Sequence, residues 1–516
     1  MVVDYPPSMD SALSVLRFVG IIFMVLMVFN LMIVVHEWGH FLAARWRGLK
    51  VEKFQIWFGK PIWKKTVNGV QYGLGCIPAG GFVALPQMAP MDAIEGGTEE
   101  SHASLPPISP LDKIIVAFAG PLFSFLLAAV FAVIVFFAGK PEHEADATRI
   151  LGYVKKDSPA SRAGLLPGDE VLSIDGKPVR SFGGIIDSIK WLIVASEGDT
   201  INFRVNRPDK GEMTFAVVAE KPKTDPNLSM WKRLFTRPPF RQVGIGPSYA
   251  FTVAEFMDDK PNSPAQEAGF QKGDRILSVE GAKVYGPGQL TDFIEAGIGK
   301  PLKIEVQRGS AKEMLTITPR LPDQRPAGWQ LSDNPLVALG VSTWEGSERI
   351  TRHPGVLLQL RDAGRTISQT LKAITSTKSD LGPSHLSGAI GIVHSYYNLF
   401  QDPAGWQLVL WFSVVLNVNL AILNMLPFPV LDGGHIVMAI MEAIRRRPIN
   451  LRLLEVVQSA CVILLLGFMV FVSFKDTGDL FGASQRPKDG KAQEAKPEPQ
   501  VEMKFLPEAQ RGQAAK

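Results

Sequence analysis

Residues 18–40 read FVGIIFMVLMVFNLMIVVHEWGH, apolar but for Asn30 as far as Val35 and then His36-Glu37-Trp38-Gly39-His40. A run of that length and character is the signature of a helix crossing a bilayer. The five residues that follow fit H-E-x-x-H, which places two imidazoles one turn apart on one helix face with a carboxylate beside them. Zinc accepts two such nitrogens without strain, and Glu37 is aimed where an attacking water would sit and can take its proton. In a soluble helix the same five letters also arise by chance. At the end of a membrane helix, two histidines and a glutamate are costly unless something binds them.

Outward from this stretch, three more apolar segments are long enough to span: 113–138, 406–426 and 453–474, with the first taken as 14–36. Asn417, Asn419 and Asn424 interrupt the third, so those amides should face protein or a water-filled cavity. The chain of 516 residues is 46% hydrophobic with a formal charge of +4, which suits a protein partly in lipid and argues against nucleic acid as a partner. Its mean hydropathy is +0.11. Cys76 and Cys461 support neither a disulfide framework nor a cysteine-ligated metal. The N-terminal run has no basic n-region, since residues 1–15 carry no Lys or Arg, and no small-residue cleavage site, so it reads as a retained span and not a secretion signal.

Charge orients the spans. Arg45, Arg47, Lys50, Lys53, Lys60, Lys64 and Lys65 follow the first, and Arg445, Arg446, Arg447 and Arg452 lie between the third and fourth. Positive charge near span ends marks the cytoplasmic side. Both termini and residues 139–405 are thereby expected outside, with HEWGH at the cytoplasmic end of the first span.

The region 50–85 is too broken for a helix, and YGLGCIPAGGFVAL (72–85) with Gly80-Gly81 suggests an extended hairpin dipping toward the membrane. An ordinary cytoplasmic loop is the plain alternative. Lipid-exposed strand edges are not allowed, so a hairpin there must lie against helices or along a cavity. Within the outside region, SPASRAG (158–164) and SPAQEAG (263–269) repeat, each followed by Gly-Asp and then short alternating strands. Two small domains of strands and one or two helices are expected, at 148–222 and 243–320. Residues 353–375 read as an amphipathic helix with Leu357, Leu360, Ile367 and Leu371 as its apolar stripe. The tail, 483–516, is rich in Gln, Lys, Glu and Pro and reads as disordered.

After the third span comes NMLPFPVLDGGH, 424–435. Two prolines stop a regular helix, and Asp432 is an acid in apolar surroundings, costly unless paired or bound to metal. A carboxylate is the usual third protein ligand beside two histidines. His435 is a rival for that role.

HEWGH in a first span with NMLPFPVLDGGH after a third resembles the site-2 protease family of intramembrane zinc metalloproteases. The paired SPAxxAG repeats resemble the two PDZ domains of its bacterial, anti-sigma-factor-cleaving members. The resemblance implies a multi-pass α-helical membrane protein with four transmembrane helices: 14–44 with the metal motif, 113–138, 406–434 with the Pro-x-Pro-x-x-Asp-Gly segment, and 453–474. It also implies a membrane-reentrant β-hairpin at 50–85 and two extracytoplasmic PDZ-like α+β domains. The implied cofactor is zinc held by His36, His40 and Asp432, with Glu37 as general base and Asn424, Gly80 and Gly81 at the substrate. Implied partners are the lipid bilayer of the inner membrane and single-pass substrates such as an anti-sigma factor, already trimmed by a site-1 protease in envelope stress signalling. The PDZ pair is implied to admit only trimmed substrates. Where members read G-P-x-x-N in the second span, this chain has Ser124, whose hydroxyl replaces only part of an amide's hydrogen bonding.

A silent scaffold and a metal transporter are the rival readings. The first has no need of Glu37, and the second predicts further acids or histidines along the other spans, of which the second span has none.

Overall fold

The computed structural model describes residues 7–88, 108–222, 235–257, 263–323, 335–346, 348–446, 451–483 and 505. Among them, four helices are long and apolar enough to cross a membrane: Leu13–Trp46, Pro110–Ala138, Gly405–Asn424 and Val456–Leu480. The first lies within α1 (Pro7–Trp46). α1 is followed by two paired strands, β1 (Lys53–Val67) and β2 (Val70–Ala84), and then by α2 (Pro110–Ala138). The ends of α2 are written in its sequence. Ser109 caps the Asp112 amide, Pro110 enters the first turn, and Gly139 closes the helix at φ +80°. Large apolar side chains such as Phe137, Ile463, Leu464 and Phe474 lie exposed on the outer faces, as lipid-facing side chains do.

α1 and α2 run antiparallel and touch closely. A Cβ on Gly39 would meet the Ala119 carbonyl oxygen at 2.4 Å, so only glycine permits this crossing. The turn between β1 and β2 is Asn68-Gly69, both at positive φ, the pairing a tight hairpin requires. Residues 53–56 pair on one side with 71–74 and on the other with 81–84. Gly81–Ala84 is therefore an edge, with no second strand paired to it among the described residues. Two contacts fix the hairpin to α1: the Trp57 indole N–H donates to Asn30 Oδ1, and a Cβ on Gly81 would stand 3.3 Å from Ile33. Asn30, the one polar residue in the first apolar run, is thus accounted for.

Between α2 and the C-terminal helices the two repeats fold into two units. In each, a serine (Ser158, Ser263) caps a short helix, and the aspartate of the Gly-Asp pair is buried. Asp169 receives two hydrogen bonds from Arg207, at 2.7 and 2.8 Å, and Asp274 receives the same pair from Arg308. Each arginine also donates to the glycine carbonyl that ends its unit's SPAxxAG run, Gly164 or Gly269. Hydrophobic cores around Ile174, Phe203 and Val205, and around Val279, Ile304 and Val306, complete the units.

Two expected boundaries move. Strand Ile245–Pro247, inside the range 243–320, pairs with Leu151–Val154 of the first unit. Strand Val341–Gly346, beyond 320, pairs with Phe251–Phe256 of the second. Each unit is closed by a strand that arrives late in the sequence, and strand pairing over such distances leaves no local signal.

Past the units come α3 (Val356–Thr375), α4 (Ala389–Gln401), α5 (Gly405–Asn424), α6 (Asp432–Arg445) and α7 (Leu451–Ala483). The stripe expected on α3 is rotated: Leu357 is 80% exposed and Leu371 41%, whereas Gln359, Ala363, Thr366 and Ile367 are buried. Gln359 accounts for the shift, since its amide donates to Ala132 O on α2 and to Pro354 O. Small Ala363 lets α3 lie close to α2 and α5. Arg365 and Arg180 tie α3 to the first unit through Asp187 and Asp362. α4 was not foreseen; its Tyr396 packs on Ile21 and Val25 of α1 and hydrogen-bonds Ser413 of α5 at 2.8 Å. Of the expected disordered tail, 483–516, Ala483 is the last residue of α7 and Phe505 is buried; the rest lies outside the described residues.

Candidate active site

His36 and His40 face α2 from successive turns of α1, and both are buried. His40 Nδ1 lies 2.8 Å from the Val116 carbonyl oxygen. A carbonyl only accepts, so Nδ1 carries the proton and Nε2 presents a bare lone pair. His36 Nδ1 hydrogen-bonds Ser124 Oγ at 2.9 Å, which likewise turns Nε2 inward. The two Nε2 atoms are 3.3 Å apart. Gly120 makes room for this, because a Cβ there would meet His40 Nε2 at 2.2 Å.

Asp432 enters from the other end of the chain. α5 stops at Asn424, the Pro427 and Pro429 segment turns the backbone, and α6 begins at Asp432. Gly433 and Gly434 admit the turn: a Cβ on either would meet the Met425 or Phe428 carbonyl oxygen, at 2.3 and 2.0 Å. Lys113 on α2 pairs with Glu442 at 2.6 Å and fastens α6 alongside. The carboxylate then lies 3.4 Å from His36 Nε2 through Oδ2 and 3.4 Å from His40 Nε2 through Oδ1.

This donor set suits a zinc ion. Zinc bonds of about 2.0–2.1 Å in tetrahedral geometry put neighbouring ligand atoms roughly 3.3 Å apart. Asp432 Oδ2 is buried without a hydrogen-bond partner among the described residues, the condition of a ligand atom awaiting a cation. The donor atoms of His36, His40 and Asp432 all lie within 4.8 Å of one another, and among the described residues they are the one group gathered in this way.

The other residues singled out in the sequence fall nearby, with differences. Asn424 Nδ2 is 3.4 Å from His36 Nε2. Gly81 borders Glu37, its would-be Cβ 3.5 Å from Glu37 Cγ. Gly80 sits behind it at φ +73° against Phe58 and has no described contact with the histidines or Asp432. His435 is buried on the same helix as Asp432 but is not among the gathered donors. Sequence reasoning did not find Val116, because a backbone acceptor has no residue signature. Ser124 stands out in the sequence only as a departure, and nothing local says that it and Gly120 both serve the histidines.

A family model described as Peptidase family M50 matches residues 23–468. The chain is similar to Protease RseP of Yersinia pestis, 29% identical over 463 residues, covering 86% of this chain and 96% of the relative. A relative in Vibrio cholerae serotype O1 whose name describes a zinc metalloprotease is 28% identical over 461 residues, with the same coverage. Regulator of sigma-E protease RseP of Escherichia coli strain K12 is 26% identical over 457 residues, again 86% and 96%. With the family model spanning most of its length and four membrane-compatible helices, the chain belongs to peptidase family M50, the zinc-dependent site-2 metalloproteases of membranes.

Proposed function

We propose that this protease is an endopeptidase of the inner membrane that cuts single-pass membrane proteins within or near their spans. Its zinc is held by His36, His40 and Asp432, and Glu37 is the general base. The observation that carries the reading is the meeting of three buried metal-compatible donors with a strand edge beside Glu37 that is unpaired among the described residues. A zinc ion held by these three residues would supply Lewis acidity at the scissile carbonyl and would make a water acidic enough to lose its proton near neutral pH. Glu37 takes that proton and passes it to the leaving amine. A helical peptide bond hides its carbonyl in its own hydrogen-bond ladder, so the substrate must unwind locally. The edge at Gly81–Ala84 pairs with the unwound segment and holds it extended, and Asn424, beside His36, contacts it.

The basic residues after the first span support a site near the cytoplasmic surface, where water reaches it, with both termini and the two units outside. The units, PDZ-like in their strand and helix order, restrain access, and the hairpin re-enters the membrane beside α1. An anti-sigma factor already cut by a site-1 protease fits as substrate, in regulated proteolysis of an envelope signal. Purified protein with a model single-pass substrate tests the core of this. Glu37→Gln should retain zinc and lose cleavage; turnover within tenfold of wild type overturns the base assignment. Cutting of an untrimmed substrate should rise when the units are removed between 148 and 346, and unchanged resistance in a zinc-loaded product removes the filter role.

A further inference from the structure

The last 33 residues, 484–516, are polar except for four large apolar side chains, and these fall together: Val501, Met503, Phe505 and Leu506. Val501, Met503 and Phe505 alternate with Glu502 and Lys504, the period of an extended segment with one apolar face. Phe505 is beyond the residue 468 at which the family match ends. It is nevertheless only 2% exposed, which a phenylalanine in so polar a segment attains only by docking on something.

What it docks on is the second unit. The Arg320 guanidinium lies over the Phe505 ring, 4.7 Å from its centroid. A Cβ on Gly340 would meet Phe505 Cε2 at 3.3 Å and Ser263 Cβ at 2.2 Å, so Ser263, Gly340 and the ring converge on one spot. Arg320 is fixed for this task. Its backbone N–H donates to Ala338 O at 3.0 Å, and its guanidinium pairs with Glu267 and Asp323, each at 3.2 Å.

The first unit supplies an internal comparison. Ser158 and Gly244 meet there as Ser263 and Gly340 do here. Glu220 occupies the place of Arg320, its N–H donating to Gln242 O just as that of Arg320 does to Ala338 O. The ion pair to the short helix is kept with its ends exchanged: Arg162 with Glu220 in the first unit, Glu267 with Arg320 in the second. Either orientation closes the unit, but only the second sets a cation over an aromatic face.

We propose that the surface formed by Ser263, Arg320 and Gly340 is a binding site for an aromatic side chain in an extended peptide, and that this chain's own Phe505 occupies it. The 21 residues from 484 to 504 tether the occupant to the end of α7, which gives it an effective concentration in the millimolar range. A peptide offered from outside therefore competes with the tail for the second unit. This is independent of how zinc is held.

The test uses full-length protein in detergent and a fluorescent peptide of residues 500–510, followed by anisotropy. The peptide should bind Phe505→Ala, whose site is vacated, and bind wild type at least tenfold more weakly. A peptide with alanine at the phenylalanine position should not bind. Exchanging the ion pair, Arg320→Glu with Glu267→Arg in the Phe505→Ala background, keeps the charge pair and should abolish binding. Equal binding to wild type and Phe505→Ala, no binding to Phe505→Ala, or undiminished binding after the exchange each overturns the proposal.

Discussion

His40 on the first membrane helix donates from Nδ1 to the carbonyl oxygen of Val116 on the second, across 2.8 Å. The bond uses a group no substitution can delete, and it sets which nitrogen of the ring is free. It holds only while the ring fits against Gly120, whose missing side chain leaves that space.

Gly120→Ala should therefore displace the imidazole although alanine is a better helix former than glycine. Zinc affinity and cleavage should fall together, by roughly ten- to a hundredfold, as when an outer partner of a metal ligand is lost. Zinc per protein after mild chelation, measured beside cleavage of a model substrate, checks this. Normal zinc with normal turnover would mean that α2 shifts to accept the methyl.

The paired buried aspartates of the two units give a stability prediction. Asp169 has a side-chain exposure of 1% and Arg207 of 12%, so removing the carboxylate leaves the guanidinium charged, largely buried and bonded to the Gly164 carbonyl without its counter-ion. Asp169→Ala should destabilise the first unit by about 3–5 kcal/mol. Replacing both partners, Asp169→Leu with Arg207→Met, should recover most of that loss. Urea-dependent proteolysis of the first unit reports both. A single variant as resistant as wild type would remove the ion pair from the account of why the Gly-Asp pair repeats.

The spans, the metal motif and the repeat were legible because each depends on local chemistry: length of apolar run, helical spacing, capping serines. Asp432 was legible for a different reason, since an acid in an apolar stretch needs a partner wherever that partner lies. What stayed hidden depends on distant backbone. Strands Ile245–Pro247 and Val341–Gly346 close their units by pairing with strands almost a hundred residues earlier. The α3 stripe misled because periodicity ranks Leu357 above Gln359, whereas a buried carbonyl on α2 needs the glutamine donor.

Asp380 gives a pH prediction. Burial pushes its carboxyl up, but hydrogen bonds from the Arg241 and Lys221 side chains and from the Arg241 backbone N–H outweigh this and bring it down to about 2. A carboxyl whose folded value lies below its ordinary 3.8 binds fewer protons folded than unfolded. Its stabilisation is present above about pH 4 and is lost as the pH falls toward 2. Hydrogen exchange in 376–388 should thus be flat from pH 8 to 5, after correction for intrinsic rates, and rise below 4. Asp380→Asn should show the faster exchange at every pH. An Asp380→Asn profile that still turns at pH 4 would assign the transition to another group.

Asp432, almost four hundred residues from HEWGH, is expected to complete the metal site. Its two oxygens each stand 3.4 Å from a different histidine Nε2, and the nitrogens stand 3.3 Å from one another. A carboxylate there also offsets the charge of a divalent ion between neutral imidazoles, in a place where uncompensated charge is costly. Asp432→Ala should lower zinc content and activity together. Asp432→Asn should keep the fold, because α6 starts from the turn that Gly433 and Gly434 admit and not from the charge, yet hold zinc more weakly. His435, one turn further along α6, is buried but outside the gathered donors, so His435→Ala should cost far less metal. Zinc per protein in detergent after mild chelation separates the cases without relying on turnover. If Asp432→Ala keeps its zinc while His435→Ala loses it, the third ligand is His435, and α6 must turn by about 60° and slide by about 4.5 Å to present it.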